Sequence, residues 1–228
     1  MRQQQHVWEL EHSNGHTLPT MANTEPASGV VLFLEFLYKN NCSVGKAVDI
    51  GSGKGRNAVY MAKEGFEVVG LEYIAFARKC AEQLAVINNV SKKVKFLNAN
   101  IDEPWQFGDA CFDIAIDSFS SIDIETKHGR EVYRDEMYRT LKPGGYALVT
   151  VCSADDEWES ERIAHHPGPE PNSTIWPENG KFQKNYTESE LKDFYSIFTV
   201  CELRIIKKPA YKLGREGTAT NFWVVLQK

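Results

Sequence analysis

Asp49-Ile50-Gly51-Ser52-Gly53-Lys54-Gly55 is the stretch whose reading decides the fold. The apolar run Ala47-Val48-Asp49-Ile50 stops at glycines, as a buried strand does, and Ala58, Met61, Ala62 and Phe66 then recur at helical spacing. The pattern predicts a strand, a tight turn and a helix. Glycines in such a turn let the backbone bend sharply and approach a ligand closely. A GxGxxG dinucleotide fingerprint would put its third glycine at position 56, where Arg56 stands, while Gly55 comes one residue early. That counts against NAD. A phosphate loop, GxxxxGK followed by Ser or Thr, is absent, and Lys54 lies inside the glycine triplet instead of after it.

Working outward, residues 67–72 form a second short strand, and residues 74–88 a second helix with Ala77, Ala81, Leu84 and Ala85 on one face. Two strands separated by a helix make a right-handed βαβ unit. Further strands are expected at 94–97, 112–117 and 146–151, with a helix over 127–141 between the last two. This alternation implies a mostly parallel sheet covered on both faces, with ligands beyond the carboxyl ends of the strands. Two last strands, 199–206 and 221–226, flank a Gly214 and Gly217 turn region and close the sheet as an antiparallel pair. The expected fold is α/β: a Rossmann-like, doubly wound, seven-stranded, mostly parallel sheet in a three-layer α/β/α arrangement.

The flanks are less regular. Residues 1–27 are polar, with turn signals at Asn14-Gly15 and Pro19, and an apolar-periodic helix then runs from Ser28 to about Asn40. Residues 1–40 therefore read as an arm followed by a helix. Residues 153–186 carry Pro167, Pro169, Pro171 and Pro177 and are too long for a passive connection; a substrate lid and a variable surface loop are the two readings. Thr187-Glu188-Ser189-Glu190 is a capping box opening a helix through Phe194. At roughly 150 residues per domain, residues 1–228 are expected to form one domain.

Composition limits the function. The 228 residues are 42% apolar, 25% charged and 11% aromatic, as in globular proteins and unlike disordered chains. With 26 basic and 31 acidic side chains the formal charge is -5, so no global positive field exists to hold DNA or another long polyanion. The five cysteines include no CxxC pair, and no metal site is expected; buried reduced thiols are. No apolar stretch is longer than that of residues 30–34, which falls well short of the roughly 18 residues of a membrane span, and the first residues lack the apolar core of a secretory signal. A cytoplasmic location and no membrane partner are expected.

Glu72 ends the second strand about twenty residues beyond the glycine loop, where a carboxylate can accept hydrogen bonds from both hydroxyls of a ribose. A nucleoside ligand is therefore expected. Over residues 46–152 the chain resembles the class I S-adenosylmethionine-dependent methyltransferases. The Asp49 to Gly55 loop, the strand-end Glu72, Phe112-Asp113 opening a strand, and Leu141-Lys142-Pro143-Gly144-Gly145 carry the likeness. Gly53-Lys54-Gly55-Arg56-Asn57 with Met61-Ala62 and Gly65-Phe66 resembles the tellurite-resistance-type small-molecule branch.

The resemblance implies S-adenosylmethionine as cofactor and a small-molecule methyl acceptor. Gly51, Ser52, Gly53, Gly55 and Arg56 would form the loop beside its methionine part. Asp49 would fix that loop and the amino group, Glu72 would hold the ribose and Tyr73 would flank the adenine. An aspartate after the third strand often bonds the adenine in this family; here Asn100 with Ile101, or Asp102, are the nearest matches. Asp117 and Ser118 would lie beside the methyl group and the acceptor.

Methyl transfer needs in-line alignment more than protein-borne chemistry: positioning contributes about 7–11 kcal/mol, against roughly 3–5 for a general base. A thiolate acceptor needs no base; an alcohol or amine does. Asp117 and His128 are the candidate catalytic residues, with His165 and His166 as further base candidates, although a histidine near a helix start more often serves at the surface or as a cap. Trp158, Trp176 and Phe182 are candidate pocket walls, and Trp8 in the arm a candidate cover. The fourth strand ends Asp117-Ser118-Phe119-Ser120, unlike the Asn/Asp-Pro-Pro-Tyr of exocyclic-amine base methylation, which disfavours DNA. A protein or RNA methyltransferase of the same fold and a non-catalytic cofactor-binding module are the alternatives, ahead of an NAD oxidoreductase.

Overall fold

The structure is a computed structural model that describes residues 4–14, 23–212 and 214–228. Its centre is β1 (Lys46–Ile50), an apolar run buried at every position but the first. It pairs in parallel with β2 (Glu67–Leu71) on one side and with β4 (Phe112–Ser118) on the other. β3 (Val94–Leu97) extends the β2 side, and β5 (Leu141–Cys152), β9 (Arg215–Gln227) and β8 (Thr199–Lys212) extend the β4 side. The order is β3-β2-β1-β4-β5-β9-β8, with every pairing parallel except the antiparallel β5–β9 and β9–β8 pairs, so that β9 alone runs against the rest. The connection reverses between β1 and β4, and a crevice opens there beyond the strand ends.

Strand side chains alternate between two cores, as period 2 requires. Val48, Ile50, Ala115, Val149 and Val224 belong to one apolar cluster, while Ala47, Ile114, Ile116, Leu148 and Val225 belong to the other. α5 (Lys127–Thr140) and α7 (Glu188–Phe194) cover the first face through Tyr133, Met137 and Leu191. α2 (Ser28–Lys39), α3 (Arg56–Lys63) and α4 (Ala75–Ile87) cover the second through Phe33, Ala58 and Ala85. The three layers and seven strands expected from the sequence are present.

Differences from the expected elements lie at the edges. β8 and β9 run much further than expected and turn at Gly214, whose φ is 77°. Gly217 is not part of the turn: it lies in β9 opposite Ala210, where a Cβ would come within 3.0 Å of the Trp158 ring. The stretch from 153 to 186 contains a helix, α6 (Glu157–His165), and an antiparallel pair, β6 (Ser173–Ile175) with β7 (Phe182–Lys184). Asp156 starts α6 by accepting from the amides of Trp158 and Glu159 at 3.0 and 3.1 Å. The arm carries α1 (Gln5–Asn14); the turn signals at Gly15 and Pro19 lie outside the described residues. The cysteines correct the expectation of wholly buried thiols: all five are free, four are half-buried and Cys201 is exposed.

The capping box forms as read. Thr187 Oγ1 accepts from the Glu190 amide at 3.2 Å, and Glu190 Oε2 accepts from the Thr187 amide at 2.8 Å. Glu190 also receives Asn172 Nδ2 at 2.8 Å and Lys184 Nζ at 3.2 Å, so α7 is tied to the β6–β7 segment. Thr187→Ala should lower stability by about 1 kcal/mol, measured by urea unfolding.

Asp49, near the end of β1, is 2% exposed, and its Oδ2 has no hydrogen-bond partner. Burial pushes its carboxyl up to about 7, against the opposing Ala58 amide and Arg56 guanidinium. The folded state therefore holds a proton that the unfolded chain releases near pH ~4, and stability falls as pH rises from there to about 7, by at most ~1.4 kcal/mol per unit. In Asp49→Asn, the difference between thermal midpoints at pH ~5 and ~7 should shrink relative to wild type; an unchanged difference would assign the slope elsewhere.

Candidate active site

Beyond the carboxyl ends of β1 to β4 lies a cavity of about 830 Å³. One end is built by the glycine loop. Gly51, Gly53 and Gly55 have φ of 66°, 52° and 83°, a left-handed run that other residues rarely adopt. Gly55 has a second duty, since a Cβ there would sit 2.7 Å from the Ala81 Cβ and prise α3 from α4. Gly51, Gly53 and Arg56 line the cavity, while Ser52 and Gly55 support the loop from behind.

Glu72 joins this loop to the next. Its Oε2 accepts from the Gly53 amide at 3.0 Å and its Oε1 from the Ile74 amide at 2.7 Å. Burial raises its carboxyl above the ordinary range, and the two amides oppose that shift. Both oxygens retain a further acceptor position, and the residue lines the cavity with Tyr73. After β3, Ile101 and Asp102 also line it; Asn100 does not.

Asp117 ends fully buried and is not part of the lining. It accepts from the Ser120 amide at 2.7 Å, the Ser121 amide at 3.3 Å and the Tyr133 hydroxyl at 2.7 Å. Its work is to fold the turn that presents Ser118 and Phe119. Phe119 carries φ of 66°, a costly state for a bulky side chain, and Ser118 Oγ is buried without a partner; both line the cavity.

The other base candidates lie outside the cavity. His128 is exposed on the first turn of α5, and His165 and His166 are exposed at the end of α6. Trp8 and Trp176 line the cavity, whereas Trp158 and Phe182 are buried behind it. Among the described residues, no three His, Cys, Asp or Glu side chains gather to hold a metal ion, and no helix is long and apolar enough to cross a membrane.

The second end of the cavity holds groups that sequence reading did not single out. Lys181 Nζ lies 2.9 Å from Asp123 Oδ1, 4.4 Å from the Trp176 ring centre and 5.1 Å from that of Trp8. The Arg162 guanidinium lies 3.6 Å from the Trp176 ring centre and donates to Glu159 Oε1 at 3.3 Å. Burial pushes Asp123 up to about 6 and raises Glu159 as well, with Lys181 and Arg162 respectively pulling each down. Only Trp8 and Trp176 carried a signal in the sequence; the charged residues come from three separate segments, and no spacing links those segments.

α1 closes the cavity from above. His12 stands over Gly53, with Cε1 3.4 Å from where a Cβ would be. Burial, helped by Lys54, lowers its pKa to about 4, so the imidazole is uncharged at neutral pH. Asn179 Nδ2 donates to Glu11 Oε1 at 3.0 Å, linking α1 to the segment between β6 and β7.

The residues at the glycine-loop end fit S-adenosylmethionine. Glu72 offers two ionisable oxygens to the sugar, the glycines admit close backbone approach, and the neutral His12 brings no cation against a sulfonium. Residues 48–149 match the family model for a methyltransferase domain. A SAM-dependent methyltransferase from Methanosarcina mazei is similar over 84% of this chain and 96% of its own, at 22% identity and a TM-score of 0.72. The 1,6-didemethyltoxoflavin-N1-methyltransferase of Burkholderia thailandensis, solved with 1,6-didemethyltoxoflavin and S-adenosylhomocysteine, covers 98% of this chain and 86% of its own at 16% identity and 0.70. TehB from Haemophilus influenzae covers 97% and 67% at 17% identity and 0.66. A search of curated proteins finds no significant match. The solved structures share this chain's fold, and the family model places a methyltransferase domain over its central strands.

Proposed function

We propose that this chain, acting as one domain, transfers a methyl group to a small-molecule acceptor enclosed in the same cavity as the cofactor. The observation that carries this reading is the roof: α1, α6, the β6–β7 segment and the far end of the β8–β9 hairpin all contribute lining residues. A cavity of about 830 Å³ falls among the ~300–1,000 Å³ sites of small molecules. Residues 4–14 and 153–186 are the cover of this site, the latter as a substrate lid.

When bound, S-adenosylmethionine supplies a methyl group activated on a sulfonium. Glu72 accepts from the ribose hydroxyls. Tyr73, Ile101 and Asp102 flank the adenine, with Asp102 better placed than Asn100 because it reaches the cavity. Gly51, Gly53 and Arg56 face the methionine part, and Asp49, Ser52 and Gly55 shape the loop from behind. Asp117 sets the turn that brings Ser118 to the boundary between the two ends. The walls exclude water and align the acceptor, and alignment is the larger share of catalysis here.

Asp123, Glu125 and Glu159 on the acceptor side do not favour an RNA chain. A protein acceptor would need an open groove in place of the roof.

Calorimetry should give micromolar binding of S-adenosylhomocysteine and none of NAD; the reverse order would sink the reading. Glu72→Ala should weaken S-adenosylhomocysteine binding by about 1–3 kcal/mol, as a charged acceptor is lost, and an unaltered affinity removes Glu72 from the site. A screen of amines, phenols, thiols and oxyanions for S-adenosylhomocysteine formation tests the acceptor class. Cofactor binding with turnover of a peptide or RNA alone would contradict the small-molecule assignment.

A further inference from the structure

We propose that Asp123 takes the proton of the methyl acceptor and that Lys181 positions it, so the acceptor is an amine, a ring N–H or a hydroxyl compound and not a thiolate or an inorganic anion. This rests on the methyltransferase reading above. Asp123 lies in the short 3-10 turn Ser121–Asp123 directly after the strand end that carries Ser118 and Phe119. That turn is rigid, because Asp117 grips its first amide at 3.3 Å. The carboxylate therefore stands on a fixed element at the acceptor end.

The rival carboxylates are committed elsewhere. Glu72 bridges two loops at the nucleoside end, and Asp117 is saturated by its own turn and Tyr133. Glu159 answers Arg162, which is shared with Glu178 at 3.1 Å. Asp123 faces one cation, Lys181, whose ammonium is held by Gln183 Oε1 at 3.3 Å and by the rings of Trp8 and Trp176. An ammonium fixed in this way steadies the carboxylate through an ion pair at Oδ1, a buried oxygen that no hydrogen-bond donor among the described residues satisfies.

The charges around Asp123 come from several elements: Lys181 before β7, Glu159 on α6 and Asp117 on β4, with Glu125 and Arg162 on the same wall. Burial pushes the acid up most, Lys181 pulls it back and Asp117 and Glu159 add to the rise, and the balance places the group at about 6. Such a group is ionised at neutral pH yet basic enough to take a proton, which is where a general base works best. A thiolate or oxyanion would need no base and would be repelled by Asp123 and Glu159. Trp176 Nε1 and Arg162 Nε, buried without partners, are donors for a second polar atom on the acceptor.

In the step itself, the lone pair of the acceptor nitrogen or oxygen forms a bond to the methyl carbon. The carbon–sulfur bond breaks with its electron pair left on sulfur, and the acceptor's proton goes to the Asp123 carboxylate and later to solvent.

The test compares wild type, Asp123→Asn, Asp123→Glu and Lys181→Met. Tyramine, catechol and imidazole serve as N–H and O–H probes, with dithiothreitol and sodium hydrosulfide as sulfur probes. S-adenosylhomocysteine formation is followed from about pH 5 to 9, and its binding by calorimetry. At least one N–H or O–H probe should turn over, with kcat/KM rising through about pH 6. Asp123→Asn should abolish that limb and lower kcat by about 10²- to 10⁴-fold while S-adenosylhomocysteine binding persists. Asp123→Glu should restore part of the rate with a displaced limb. Independently of any acceptor, carbon-13 NMR of aspartate-labelled protein should show one carboxyl titrating near 6, absent in Asp123→Asn and moved upward in Lys181→Met. Turnover confined to the sulfur probes, no turnover of any N–H or O–H probe, or a limb that survives in Asp123→Asn would overturn the assignment. If wild type fails to bind S-adenosylhomocysteine, the proposed function itself falls; if it binds but lacks these signatures, only the role of Asp123 does.

Discussion

A single buried carboxylate sets the geometry of the nucleoside end. Glu72 accepts the Gly53 amide with one oxygen and the Ile74 amide with the other, so the turn after β1 and the entry to α4 are held at a fixed separation. Without such donors a carboxylate only 5% exposed would be heavily penalised. With them, each oxygen is hydrogen-bonded and still has an acceptor position facing the cavity. The left-handed glycines follow from the same demand, because a backbone amide reaches Glu72 only if the loop curls back over the strand end.

The acceptor end solves a different problem. Burying charge is costly unless it is paired and hydrogen-bonded, and here each buried cation is matched by a carboxylate and lies against an indole. The pairs come from the turn after β4, from α6 and from the segment before β7. The chemistry of this end therefore depends on how those segments dock, and the docking is itself secured by Arg130, buried on α5, which pairs with Glu170 and donates to the Ile124 carbonyl at 2.6 Å.

What the sequence discloses follows from range. Residues 46–152 obey local rules, with mostly apolar strands, helices with one apolar face, and glycines at the turn after β1, so the alternation of strands and helices and the sheet's mostly parallel character could be read directly. Thr187 and Glu190 lie three residues apart, and their capping box was legible for the same reason. β6 and β7 are only three residues each and polar, too short for periodicity to register, and α1 has little apolar contrast between its faces. Gly217 looked like a turn residue because sequence gives no sign of the Trp158 ring beside it. Asp123 and Lys181 meet across 58 positions of chain (181 less 123), and neither has a neighbour that marks it.

α1 has the most far-reaching effect on how the molecule must work. Its ten residues place His12 over the glycine loop and Trp8 against Lys181 at the other end. One short helix thus spans both ends of the cavity. A change in α1 therefore acts on the turn after β1 and on the Lys181–Asp123 pair together.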